Sequence, residues 1–222
     1  MQREDEEIKK DIVDELFWDN RIDASKIAVT VEDGIVSLAG EVPSYAVLAD
    51  ARAAIYSIAG VLDVIDDNMV ISYVAPPALP SDIEIENHAN NIIVWDGAID
   101  EANCKAIAEA GIIILEGIVD AHWKKQYLEE KIAGIRGVLG IENKLAVVPT
   151  KDVSDEILAK DLMAALERDM LVDAEDITVT VRNGVVTLSG TVPNWGARFS
   201  AWNDASRTLG VVSIKNKLKV AV

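Results

Sequence analysis

Cysteine, histidine and basic residues are scarce in this sequence. Its single cysteine, Cys104, excludes an internal disulfide and leaves the redox compartment unmarked. The two histidines, His88 and His122, have no histidine or cysteine neighbour at metal-ligand spacing. Lys and Arg number 21 against 38 Asp and Glu, a formal charge of −17. That balance argues against a nucleic-acid partner, because phosphate contacts need concentrated Lys and Arg. It argues equally against purely electrostatic docking on anionic lipid. Long apolar runs are also missing: the longest, residues 111–115, is strand-sized, where a bilayer span needs about 20 residues. The acidic start, residues 1–7, is not a signal peptide. The chain as written therefore reads as cytoplasmic, or as periplasmic if an export signal was removed ahead of it. Phosphate loops, dinucleotide fingerprints and His-Glu-x-x-His are absent. No catalytic, cofactor-binding or metal-ligating residue is expected, and no enzymatic activity.

What is present is a repeat. Three runs begin and end on glycine: GIVSLAG at 34–40, GIIILEG at 111–117 and GVVTLSG at 184–190. Each is followed by a valine two residues on, and by a glycine 26 residues after its first: Gly60, Gly137 and Gly210. Aspartates stand 15 and 11 residues upstream of Gly34, Gly111 and Gly184: Asp19 and Asp23, Asp96 and Asp100, Asp169 and Asp173. The copies are offset by 77 and then 73 residues. A Pro-rich break at residues 75–81 and a shorter one at 149–152 separate them. The expected domains are 1–75, 79–149 and 152–222, each close to the lower size limit for a self-sufficient core.

Each copy reads as helix, hairpin, helix, strand. Apolar residues at i, i+4 and i+8 mark the first helix: Ile8, Ile12 and Leu16, then Ile85, Ala89 and Ile93, then Leu158, Leu162 and Leu166. In the second copy the surrounding Asn87, Asn90 and Asn91 are poor helix formers. Alternating strands follow, joined by Asp33-Gly34 and Asn183-Gly184, the dipeptides favoured in two-residue hairpins. The second copy has the weaker Ala110-Gly111 there. Val36, Leu38, Val186 and Leu188 are expected to face inward. Ser44 and Asn194 suit the N-cap of the second helix, and Gly60, Gly137 and Gly210 its C-cap. The class is α+β: three tandem αββαβ units, each with two helices on one face of a small mixed three-stranded sheet.

The pattern of Asp, alternating strand, Asn/Asp-Gly turn, Val-x-Leu-x-Gly-x-Val, helix and Gly-Val-x-x-Val resembles the BON domain, the bacterial OsmY and nodulation domain. The resemblance covers nearly the whole chain, as three copies. It is most complete in the third, at residues 183–192 and 210–218. The first departs after Gly60, where residues 65–68 add a bulge or extra residues; the second departs at its turn and first helix. Gly40, Gly117 and Gly190 belong to the motif as structural residues. The resemblance implies no catalytic residue. It implies an association with phospholipid or envelope binding, transport and osmotic stress in bacteria.

The remaining residues are weighed on position. His88 and His122 are expected at the surface or a helix end. Cys104 aligns with Ile27 and Ile177 and is expected to be a small buried apolar residue. Asp23, Asp100 and Asp173 are expected to cap a turn, and Asp63, Asp66 and Asp67 lack the spacing of a calcium loop. Trp18, Trp95, Trp123, Trp195 and Trp202 are expected to close the edges of small cores rather than to anchor on a bilayer.

One departure stands out. A two-residue turn sets residue 30 opposite 37, 107 opposite 114 and 180 opposite 187. The outer face carries Thr30 and Ser37, or Thr180 and Thr187, in the outer copies. In the middle copy it carries Ile107, Ile112, Ile114 and Ile118. A sheet apolar on both faces is expected to be covered on both. A neighbouring copy is the first expectation; homo-oligomerisation through the second domain, or a ligand or lipid, are the others. The function expected is a non-enzymatic binding module for a phospholipid or protein partner. The alternative is a protein–protein adaptor or chaperone-like stress protein. Charge is unevenly spread: residues 1–75 carry −10, residues 76–150 carry −6 and residues 151–222 carry −1.

Overall fold

The computed structural model describes residues 3–72, 79–100 and 103–221. Most of the expected Pro-rich break, the end of the first expected domain and residues 1–2 of the acidic start lie outside the described residues. The first repeat runs α1 (Asp5–Trp18), β1 (Ile27–Glu32), β2 (Ile35–Val42), α2 (Tyr45–Tyr56) and β3 (Asp63–Ile71). The second runs α3 (Asp82–Trp95), β4 (Cys104–Glu109), β5 (Ile112–Val119), α4 (Trp123–Ala133), β6 (Gly140–Asn143) and β7 (Ala146–Val147). The third runs α5 (Asp155–Leu166), β8 (Ile177–Arg182), β9 (Val185–Val192), α6 (Trp195–Arg207) and β10 (Ser213–Val220).

In each sheet the central strand pairs antiparallel with the strand before it and parallel with the one after. A parallel partner needs a crossover, and the second helix provides it. The hairpin pairs Thr30 with Ser37, Ile107 with Ile114 and Thr180 with Thr187. The expected irregularity of the first repeat is a bulge: Ser37 pairs with Ile65, but Ala39 with Asn68. In the second repeat the last strand is split into β6 and β7. There Asn143 turns its side chain to the backbone, accepting from Leu145 N at 3.2 Å and donating to Lys125 O at 2.8 Å.

Every first helix buries its i, i+4, i+8 stripe, and Val36, Leu38, Val186 and Leu188 meet it from the sheet. α3 holds despite its asparagines because they are used. Ser81 and Glu84 form a capping box. Asn90 then pairs with the outer edge of β4, donating to Ala106 O at 2.8 Å and accepting from Ala106 N at 3.0 Å. Glu86 accepts from Ala108 N at 3.2 Å. These bonds close an edge strand that would otherwise offer open hydrogen-bonding groups.

One clamp recurs that spacing of the glycine runs did not single out. The first residue of each first helix, Asp5, Asp82 or Asp155, accepts both turn N–H groups of the hairpin: Asp33 and Gly34, Ala110 and Gly111, or Asn183 and Gly184. The clamp explains how Ala110 tolerates φ 51° at a turn position that favours asparagine or aspartate.

The expectation that Gly60, Gly137 and Gly210 cap the second helices is corrected. Those helices end at Tyr56, Ala133 and Arg207, and Ser57, Gly134 and Thr208 are the cap residues. The later glycines serve a close approach instead. At φ 95°, 97° and 89°, each lies under the first helix or its lead-in, where a Cβ would come within 2.7–2.9 Å of Ile8, Ile85 or Val153 side-chain atoms.

Candidate interaction surfaces

The polar groups singled out by the sequence are occupied in structural work. Asp23 and Asp173 accept from Ser25 N and Glu175 N and cap short 3-10 turns; Asp100 accepts from Asn103 Nδ2. Asp63 accepts from Tyr56 Oη at 3.1 Å, and Asp66 pairs with Arg52 at 3.5 Å. Cys104 is buried, its thiol donates to Ile118 O, and burial pushes its pKa up, away from thiolate character. Among the described residues no group of three His, Cys, Asp or Glu side chains is placed to hold a metal ion, and no helix is long and apolar enough to cross a membrane.

Two surfaces remain. The first is the junction between repeats, built by the second helices. Tyr45, His122 and Trp195 occupy the same position of the repeat, at offsets of 77 and 73, and so do Arg52, Glu129 and Trp202. Tyr45 packs on the core of the second repeat, and Glu129 and burial both push its hydroxyl pKa up, burial more. The His122 ring meets Trp202 at 5.9 Å, nearly edge-on. Trp195 meets Tyr56 at 4.3 Å and shares with Arg52 a groove of about 600 Å³ between α2 and α6. Repeat one thus seats on two, two on three, and three back on one, through equivalent positions. A head-to-tail contact that returns on itself closes a ring.

Burial strains the polar groups in this ring. Arg198 stacks over the Trp195 ring at 4.1 Å, its Nε is buried without a hydrogen-bond partner, and desolvation lowers its pKa. Trp195 Nε1 and His122 Nδ1 are also buried without partners among the described residues. The helix-end position expected for His122 holds, as the N-cap residue of α4, while its ring is half-buried in a junction and not on open surface.

The second surface is the tip where each first helix ends. Asp19, Asp96 and Asp169 stop the chain there, each accepting from the N–H two residues on: Arg21, Ala98 or Leu171. Three residues after each Asp an apolar side chain, Ile22, Ile99 or Val172, turns back and is buried. Apolar residues next to each Asp are pushed outward. Trp18 is 80% exposed, Trp95 85% and Met170 96%, with Phe17, Val94 and Leu171 exposed beside them. The expectation that Trp18 and Trp95 close a core edge is corrected; Trp123, Trp195 and Trp202 are half-buried. The first two tips are equivalent points of the repeat; in the third, the position of Trp18 and Trp95 is Arg168, and the exposed apolar pair Met170 and Leu171 follows it. Beside Trp95 lies an open cleft of about 1030 Å³, lined in part by Asn87, His88, Asn91 and Arg136.

The isoleucine face is placed as its register requires. Ile107, Ile112 and Ile114 are half-buried and Ile118 is 46% exposed. The ion pairs Lys105–Glu116 and Lys144–Glu142 lie on the same sheet. The expectation that a neighbouring repeat covers this face is corrected, since neighbours are reached through the second helices. The face was legible because its register follows from the turn. The ring was not, since contact between helices far apart in sequence leaves no periodic signal.

Comparison with known proteins gives three matches to the BON domain, at residues 4–73, 81–149 and 154–222. The chain is 30% identical over 114 residues to the Osmotically-inducible protein Y of Escherichia coli (strain K12), a match spanning 49% of this chain and 57% of that protein. Among solved structures it aligns with CdsD, a structural protein of the Type III secretion system of Chlamydia trachomatis, at 15% identity, over 97% of this chain and 92% of that one, with a TM-score of 0.27. A structure of the CdsD C-terminal domain aligns at 16% identity, over 96% of each chain, with a TM-score of 0.26.

Proposed function

The chain belongs to the BON domain family, and from that membership we propose that it is a non-enzymatic binding protein of the osmotic-stress response that docks on a phospholipid surface. The observation that carries this reading is the set of three exposed apolar tips, Phe17–Trp18, Val94–Trp95 and Met170–Leu171. Solvent-exposed tryptophan at this density is costly in water and suited to the bilayer interface. The net charge of −17 directs the proposal to neutral surfaces, with binding by apolar insertion. The amides of Asn87 and Asn91 beside Trp95 supply hydrogen-bonding groups at the headgroup level. The relative induced by osmotic stress supports the physiological setting.

The test is tryptophan quenching by phosphatidylcholine vesicles with brominated acyl chains. Quenching of the wild type that is lost in Trp18→Phe/Trp95→Phe is expected. Absence of both quenching and co-sedimentation, with and without calcium, removes the lipid reading.

The exposed isoleucine face supports a second reading, self-association through the second repeat. Three of its apolar side chains, Ile107, Ile114 and Ile118, stand where the sister repeats present Thr, Ser or Glu, and Ile118 remains open.

A further inference from the structure

The junction between the second and third repeats differs from its two equivalents in the residue seated in it, which can change charge near neutral pH. The position is tyrosine in the first repeat and tryptophan in the third. We propose that the ring is a pH-responsive joint, which acidification opens at the contact of His122 with Trp202.

His122 Nδ1 is buried and has no partner among the described residues. In a neutral imidazole one nitrogen donates and the other accepts; in the imidazolium both must donate. Whichever tautomer is present, protonation leaves a charged N–H at Nδ1 facing no acceptor and little water. The surroundings do not compensate. From α6 the imidazole meets the edge of the Trp202 ring. Asp204, the one acid of α6, answers to Asp169, Arg207 and Arg168 of its own repeat. Arg198, the other cation of α6 besides Arg207, answers to Tyr56 and Asp63. On α4 itself the nearby charge is Lys125, of like sign. Burial first, and Lys125 second, hold the His122 pKa below its ordinary value.

The sign follows from linkage. A base whose value is lower in the closed ring than in the open chain binds fewer protons when closed. The junction is therefore fully supported above the ordinary histidine value of about 6.5, and loses support as pH falls through the lower value of the closed form. Opening one junction of three turns a ring into an open arrangement.

The experiment is small-angle X-ray scattering of the full chain from pH 8 to pH 5, with the wild type, His122→Tyr and His122→Gln. In parallel, the His122 imidazole is titrated by NMR in His88→Gln, which leaves it the sole histidine. The wild type is expected to expand reversibly on acidification while both His122 variants keep their size, and the imidazole to titrate below about 6.5. A wild type that stays compact to pH 5, variants that expand as it does, or an imidazole that titrates at or above the ordinary value would each overturn the proposal. The NMR titration decides even if a variant fails to fold.

Discussion

Asp155 and Gly184 lie 29 residues apart in sequence and are joined by a hydrogen bond: the Gly184 N–H donates to Asp155 Oδ1 at 2.9 Å, while Oδ2 takes the Asn183 N–H at 2.7 Å. The same pair is Asp5 with Gly34 and Asp82 with Gly111. This clamp ties the start of each first helix to the hairpin turn and so fixes helix against sheet. Hydrogen bonds to a charged acceptor contribute about 1.5–3 kcal/mol. Asp155→Ala is expected to destabilise the third repeat by about that amount, read as a lower denaturation midpoint. An unchanged midpoint would show the clamp to be incidental.

Gly190 provides a stricter test of the hairpin. At φ 134°, a Cβ there would lie 2.0 Å from the Asp176 carbonyl oxygen, which is backbone and cannot swing aside. Gly190→Ala is expected to cost at least about 3 kcal/mol and to unfold the third repeat preferentially. Gly97→Ala, with nothing within 4 Å of its Cβ position, is the control and is expected to leave stability nearly unchanged. Equal effects would contradict the close-approach account.

The junction of the first and second repeats responds to pH in the opposite sense to His122. Burial pushes the Glu129 pKa up, against a hydrogen bond to Asn143 and the nearby Lys125. A carboxyl whose folded value is raised supports the fold when protonated, and that support is lost as pH rises through the folded value. Glu129→Gln is therefore expected to raise thermal stability at pH 7, with the gain shrinking toward the acid range. A gain that is independent of pH would assign the effect to packing instead.

The isoleucine face is tested by Ile107→Lys/Ile114→Lys. Both positions are half-buried, so each repeat is expected to keep its fold. If copies associate through this face, the double variant elutes at a smaller size than the wild type in size-exclusion chromatography with light scattering. Identical masses, both monomeric, would remove the self-association reading.

The sequence carried the repeat and the order of elements clearly, because both rest on local patterns: the Ile8-Ile12-Leu16 stripe, the Asn183-Gly184 turn and the alternation around Val186 and Leu188. The inward position of Cys104 and the caps at Ser44 and Asn194 followed from the same rules. What failed were inferences about surroundings. Trp18 and Trp95 were expected to close a core, but Ile22 and Ile99, three residues past Asp19 and Asp96, already fill that place. The signal was available as Asp-x-x-Ile, with its counterpart Asp169-x-x-Val172. The helix-end place of His122 was legible, but the contact of its ring was not, because the Trp202 it meets lies 80 residues on. α3 looked weak because propensity does not register that Asn90 spends its amide on the edge of β4.

The central claim is that the three exposed tips bind a neutral lipid surface. Flotation with phosphatidylcholine vesicles tests it, comparing the wild type with Trp18→Ser, Trp95→Ser and Met170→Ser, singly and combined. Burying one such side chain contributes about 1.5–3 kcal/mol, so each single variant is expected to weaken binding at least about tenfold and the triple variant to abolish flotation. A triple variant that floats like the wild type would contradict the account.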